Sequence, residues 1–198
     1  MSRTPLQEIM RWRQSVRRFD GRPIPDAEVL SLVSAAHEAP SAENGQPWRF
    51  IAVRSADARE SLERACLSGI YSRTRFAAKA PLLIALCADR SGVAARAMAV
   101  KDRAMYQLDC GIAGEHLVLR AAEMGIGTCW IGWFNRRAAG RALGVPRKVQ
   151  VVALIAAGYP DAESVRRPRR RAALSSMVWQ DAWGRPFAGA DDQDRDEK

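Results

Sequence analysis

Apolar residues recur along the chain with two spacings, and the switches between them lay out its elements. Val29, Leu32, Val33 and Ala36 keep the three-to-four-residue step of a helix, which Pro25-Asp26-Ala27-Glu28 opens with a proline and two acids where the helix dipole favours negative charge. Leu6 to Arg13 reads as a shorter amphipathic helix, and Asp20-Gly21-Arg22-Pro23 as a turn. Arg49 to Val53 alternates as a strand does, and Asp57 to Leu67 returns to the helical step. Pro81 to Ala88 and Val149 to Ala157, the latter interrupted only by Gln150, are apolar runs of strand length, as expected of strands buried on both faces. Ala104 to Met124 reads as the longest helix, apolar nearly all round and therefore buried on most sides. Gly111 and Gly114 lie three apart on it, which lets another backbone come close. Arg136 to Leu143 is a further helix before Pro146, and Leu174 to Gln180 reads as a last strand. Gly69 to Lys79 fits neither spacing. This order predicts an α+β domain, with a small mixed or antiparallel sheet packed between helices.

The chain has 198 residues, enough for one sizeable core, and no linker divides it before residue 160. The expectation is one domain over residues 1–187, followed by an acidic, disordered tail over 188–198. No apolar run approaches the ~18 residues that span a bilayer, and Met1-Ser2-Arg3-Thr4-Pro5 lacks the apolar stretch of a secretory signal. A soluble, cytoplasmic protein with no membrane partner is therefore expected. Cys66, Cys87, Cys110 and Cys129 are widely spaced and only His37 and His116 could join them, which points to neither a disulfide framework nor a zinc site. Both histidines fit structural roles, and Cys129, though the one thiol near candidate chemistry, fits core packing.

The net charge of +9 favours anionic partners. Nucleic acid would need a clustered basic face with stacking aromatics, and only the run Arg166, Arg167, Arg169, Arg170 and Arg171 offers the first of these. A basic nucleic-acid-binding module is the rival reading, and no nucleic-acid partner is expected. A phosphorylated ligand has a better candidate site. In an extended segment Arg13, Ser15 and Arg17 share a face, so two forked guanidiniums and a hydroxyl can converge on one anion. A second candidate is Ala39 to Phe50, Ala-Pro-Ser-Ala-Glu-Asn-Gly-Gln-Pro-Trp-Arg-Phe. Pro40 and Pro47 bar a helix there, and Ser41, Asn44 and Gln46 offer donors and acceptors together, suited either to a polar ring or to a capped turn. Gly125-Ile126-Gly127-Thr128-Cys129-Trp130-Ile131-Gly132 is no dinucleotide fingerprint, because Trp130 stands where the third glycine belongs and a helix, not a strand, precedes it.

Four segments together resemble the FMN-dependent nitroreductase family: Arg13 to Phe19, Ala39 to Phe50, Gly125 to Phe134, which looks like the family's glycine-containing flavin loop, and Gly158-Tyr159-Pro160. They lie in family order across almost the whole chain. The resemblance implies a nitroreductase-like fold, an intertwined homodimer and FMN bound at its interface, with NADH or NADPH as electron donor and a small planar acceptor. Flavin N5 would carry the chemistry, with no dedicated catalytic side chain and no metal. It further implies that Arg13, Gln14, Ser15 and Arg17 hold the phosphate and ribityl chain, with Arg169 and Arg171 near the phosphate. Pro40, Ser41, Ala42 and Asn44 would reach the flavin of the other subunit. Trp130, Ile131 and Gly132 would line the ring, backbone N–H groups near Ile131 and Gly132 would favour its reduced form, and the bulky Trp130 and Trp133 would set the pocket's size. The activity implied is reduction of nitroaromatics or quinones. A specialised oxidase, dehydrogenase or flavin-modifying enzyme of the same fold is the alternative.

Overall fold

The structure is a computed structural model that describes residues 5–91, 105–164 and 171–190. Residues 165–170, which hold Arg166, Arg167, Arg169 and Arg170, and the acidic tail from residue 191 lie outside the described residues. Helix α1 is Pro5–Trp12, α2 Asp26–His37, strand β1 Trp48–Val53, α3 Ala56–Cys66 and β2 Leu82–Asp89. They are followed by α4 at Met105–Glu123, β3 at Gly127–Ile131, α5 at Arg136–Ala142 and β4 at Val149–Gly158. Two N-caps fix helix starts: the Ser55 side chain accepts from the Ala58 N–H at 3.2 Å, and Asn135 from the Ala138 N–H at 3.0 Å. Helix α4 ends where Gly125 takes a φ of +73°, while the Ile126 N–H reaches back to the Ala121 carbonyl at 2.8 Å.

The strands form one sheet in the order β1-β2-β4-β3, with every pair antiparallel. Strands β2 and β4 occupy its centre, which is why both are apolar but for Asp89 and Gln150 at their ends. Leu82, Ile84 and Leu86 face a layer shared with α2 and α4, including Leu32, Leu117 and Val118. Leu83, Ala85 and Cys87 face the opposite layer, with Leu62 of α3, Ala139 of α5 and Leu67. Gly69–Lys79, which fitted neither spacing, is a run of 3-10 helix whose Ala77 and Ala78 are buried in that second layer. No helix among the described residues is long and apolar enough to cross a membrane.

Two readings from the pattern change. Gly127–Ile131, read as part of a glycine-containing loop, is the edge strand β3, with Gly127 opposite Gly158 and Ile131 opposite Leu154. Glycine is wanted at 127 because a Cβ there would lie 2.7 Å from Val16 Cγ2. Leu174 to Gln180 is not a strand: Leu174–Ser176 is a 3-10 turn, and Trp179 forms one isolated bridge with Pro186. The latter belongs to the second of two compact units, Met1–Val165 and Arg166–Lys198, and all nine helices and strands named above lie in the first. Within the second, the Trp179 and Trp183 rings sit 4.0 Å apart.

All four cysteines are buried and free. Burial pushes the Cys66 and Cys87 thiols from an ordinary 9.0 up to about 11, and burial with the nearby Asp109 charge pushes Cys110 to about 12. Because the folded values are raised, these thiols contribute stability below pH 9.0 that is lost as pH climbs towards 11. A colorimetric thiol reagent at pH 8 should find almost no reactive thiol in native protein and all four in urea. Prompt reaction of the native protein would contradict this packing.

Candidate functional site

The segment after α1 is held as a strand-like ribbon. Ser15 makes a parallel bridge with Thr128, and the Val16 N–H donates to the Thr128 carbonyl at 2.8 Å. Phe19 then bridges Pro160, and the Asp20 N–H donates to the Tyr159 carbonyl at 3.0 Å. Val16 is buried, so its neighbours Ser15 and Arg17 turn outward. Arg17 Nη1 donates to the Ser15 carbonyl at 3.3 Å and its guanidinium lies 5.9 Å from the Phe76 ring centre. Among the described residues no carboxylate lies within ion-pair distance of Arg17. Arg13 Nε sits 4.0 Å from Glu115 of α4, a loose pair. All three polar side chains influence the buried Cys129 thiol. Burial raises that thiol's pKa, while the Arg17 charge, the Ser15 hydroxyl and the Arg13 charge, in that order, pull it down. A spot under the influence of two guanidiniums and a hydroxyl suits an anion. Gln14 is half-buried.

Strand β3 brings the next candidates alongside. Trp130 does not stand free: its indole lies against Gly114 of α4, where a Cβ would come 2.7 Å from Cζ2 and 3.1 Å from Leu86. The indole N–H donates to Glu115 Oε2 at 3.3 Å, so Glu115 meets both Trp130 and Arg13. Ile131 points into the second core layer and is 2% exposed, which leaves its backbone as the part a ligand could meet. Gly132 is exposed. Trp133 is exposed as well; its N–H donates to the Ile70 carbonyl at 3.2 Å and its ring lies 5.4 Å from that of Tyr71.

The loop after α2 is a tight turn under strain. Glu43, Asn44 and Gln46 hold φ values of 51°, 50° and 42°, a region non-glycine residues rarely enter. Ser41 Oγ accepts from the Gln46 N–H at 3.0 Å, and Gln46 Nε2 donates to Asn44 Oδ1 at 3.0 Å. Pro40 and Asn44 are exposed, Ser41 and Ala42 half-buried, and the Ala42 N–H donates to Asp109 Oδ1 at 3.2 Å. Asp109 and Glu115 lie on one helix, six residues or about 9 Å apart along its axis. Helix α4 thus holds the loop at one end and the arginine ribbon at the other.

Asp109 and Glu115 were not among the residues picked from the sequence. A signal existed for the first: Asp109 falls on the i, i+4 line of Ala113, Leu117 and Ala121, the buried face of α4. Of the remaining candidates, Arg171 lies in the second compact unit and Arg169 outside the described residues. A groove of about 470 Å³ between α2 and β1 is lined by Val29, Val33, Trp48 and Phe50, with Gln46 at its side. Neither Arg13 nor Arg17 borders it.

A model described as the nitroreductase family matches residues 10–159. A protein of Archaeoglobus fulgidus, provisionally named an NADH dehydrogenase/NAD(P)H nitroreductase, is 33% identical over 155 residues, covering 76% of this chain and 83% of that one. A 5,6-dimethylbenzimidazole synthase of Rhodospirillum rubrum is 28% identical over 180 residues, 81% of this chain and 84% of that one. Among solved structures, a nitroreductase family protein of Clostridium novyi NT superposes with a TM-score of 0.71 at 28% identity, over 93% of this chain and 97% of that one.

The Trp130 placement is open to direct measurement. Gly114→Ala should gain up to about 1 kcal/mol in helix propensity. Its methyl group would collide with the indole and Leu86, at a cost of about 1–3 kcal/mol, so urea unfolding should show net loss. In a Trp130→Leu background the collision is relieved and the same substitution should be neutral or stabilising. Equal effects in both backgrounds would place the indole elsewhere.

Proposed function

The chain belongs to the nitroreductase family, a family of oxidoreductases, and from that premise we propose that it binds FMN, draws electrons from NADH or NADPH in the cytoplasm, and reduces small planar acceptors of nitroaromatic or quinone type. The observation that carries this reading is the ribbon of Arg13, Ser15 and Arg17, pinned beside β3 with Ser15 and Arg17 turned outward. The donor set fits the cofactor. Arg17, with no carboxylate partner among the described residues, keeps its forked donors for a phosphate, and Arg13 is only loosely engaged by Glu115. The Ser15 hydroxyl and the Gln14 amide would bond the polyol chain, and the Ile131 and Gly132 backbone N–H groups would stabilise charge on the ring. Pro40, Ser41, Ala42 and Asn44 would meet the ring from the partner subunit, and Arg169 and Arg171 would add charge near the phosphate. FMN, when bound, supplies a ring that takes up a hydride and hands electrons on; the protein's part is to hold, orient and tune it.

Exposed Leu6, Leu30 and Leu108, together with the apolar groove beside β1, support the homodimer. With Trp130 packed on Gly114, acceptor size would be set at Gly132 and Trp133 rather than by the Trp130 indole. The Rhodospirillum relative's name marks the alternative, a flavin-modifying enzyme on the same scaffold.

Purified protein should be yellow and release FMN on denaturation, and light scattering should give a dimer mass. FAD in the supernatant or a flavin-bearing monomer would contradict the respective claim. Arg17→Ala should remove a charge-assisted contact of about 1.5–3 kcal/mol and so weaken FMN roughly tenfold to hundredfold. Arg171→Ala should do less, because neighbouring arginines can substitute. Equal losses in a titration of apoprotein would mean that the phosphate site lies elsewhere.

A further inference from the structure

We propose that Asp109 is a positioning residue for the Pro40–Asn44 loop: its buried carboxylate fixes the loop backbone through the Ala42 N–H and keeps Ser41 and Asn44 presented to the ligand. The proposal deepens the flavin-site reading of that loop and rests on it.

Asp109 is 6% exposed and is the one buried carboxylate residue among those described. It stands on the core-facing line of α4, next to Cys110 and one turn from Ala113. A carboxylate removed from water is costly unless hydrogen bonds satisfy it. Here Oδ1 accepts the Ala42 N–H at 3.2 Å, a bond strengthened by the carboxylate's charge.

The loop needs a tie of this kind. Three of its residues hold positive φ, and such backbone persists only where surroundings over-determine it. The bonds from the Asn44 N–H to the Ser41 carbonyl, from the Gly45 N–H to the Ala42 carbonyl and from the Gln46 N–H to Ser41 Oγ all close within the loop. They shape the turn without anchoring it. At its far end the Asp89 N–H holds the Pro47 carbonyl at 2.7 Å, and at its near end the Ala39 N–H bonds Ala36. Between these ends the Ala42–Asp109 bond joins the turn to another element.

The bond can be cut from either side. Asp109→Asn keeps an oxygen acceptor, whereas Asp109→Ala removes it. Ala42→Pro removes only the donor: Ala42 opens a 3-10 turn, where proline fits, and Ser41 before it is extended at φ −146° and ψ 156°, as a residue preceding proline should be. The readouts are amide exchange at Asn44, Gly45 and Gln46 in apoprotein, and FMN affinity by flavin fluorescence. Asp109→Ala and Ala42→Pro should each speed exchange and weaken FMN by about tenfold or more. Asp109→Asn should stay within about threefold of the parent, and the double variant should be no worse than the worse single one, since both cut one bond. Unchanged exchange in the two disruptive variants, an Asn variant as impaired as the Ala variant, or additive losses would each overturn the proposal. Should Asp109→Ala fail to fold, Ala42→Pro decides, because it leaves the core untouched. Should the parent bind no FMN, the flavin reading falls while the exchange measurements still judge the anchor.

Discussion

The contact on which the rest depends is the one between Trp130 and Gly114. A helix packed on a sheet normally rests on side chains from both sides; here α4 lacks one, and the indole from β3 fills the space. The approach lets Glu115, the next residue on the helix, reach both the indole N–H and the Arg13 guanidinium. One turn and a half earlier, the same rigid rod presents Asp109 to the loop after α2. Distances between loop and ribbon within one chain are therefore set by helix geometry rather than by flexible connections.

A second constraint works on the N-terminal side. Two glycines, Gly127 and Gly158, face each other across β3 and β4, and side chains of the ribbon lie against both: Val16 on the first and Phe19 on the second. Backbone bonds at Val16 and Asp20 then fix the ribbon's register. With Val16 buried, strand alternation leaves Ser15 and Arg17 on the open face, while Arg13 is half-buried. The outward placement of Ser15 and Arg17 thus follows from one buried valine and two missing side chains.

Much of this was legible in the sequence for physical reasons. The central strands are apolar almost throughout because both their faces are covered, and the helices carry periodic stripes because one face is. The outward turn of Ser15 and Arg17 followed from the two-residue period once the segment was taken as extended. What stayed hidden depends on partners distant in sequence. Strand β3 looked like a loop because its flanking glycines suggest turns, while its strand character comes from pairing with β4 and the ribbon. Trp130 was expected beside the ligand, and only the close approach of α4 shows where its ring goes. The 3-10 run over Gly69–Lys79 is likewise determined by the second core layer rather than by its own periodicity.

Asp109 shows how an overlooked residue can be recovered. Reading α4 as apolar nearly all round treated its acids as interruptions, yet the line Asp109, Ala113, Leu117 and Ala121 places one acid on the face most hostile to charge. Ionised carboxylates are expelled from such positions unless something returns the lost hydration. A backbone N–H is a natural source when a nearby turn leaves one without an intrahelical partner, as the first residues of any helical turn do. Ala42 opens such a turn, after two residues that cannot supply the acceptor: the proline and the serine whose hydroxyl is already engaged by Gln46. The pairing of an acid on a core-facing helical line with a polar turn beyond a proline is therefore a physical signal in its own right. It arises because each partner solves the other's desolvation problem, and the strain held at Glu43, Asn44 and Gln46 is tolerated in a turn anchored in this way.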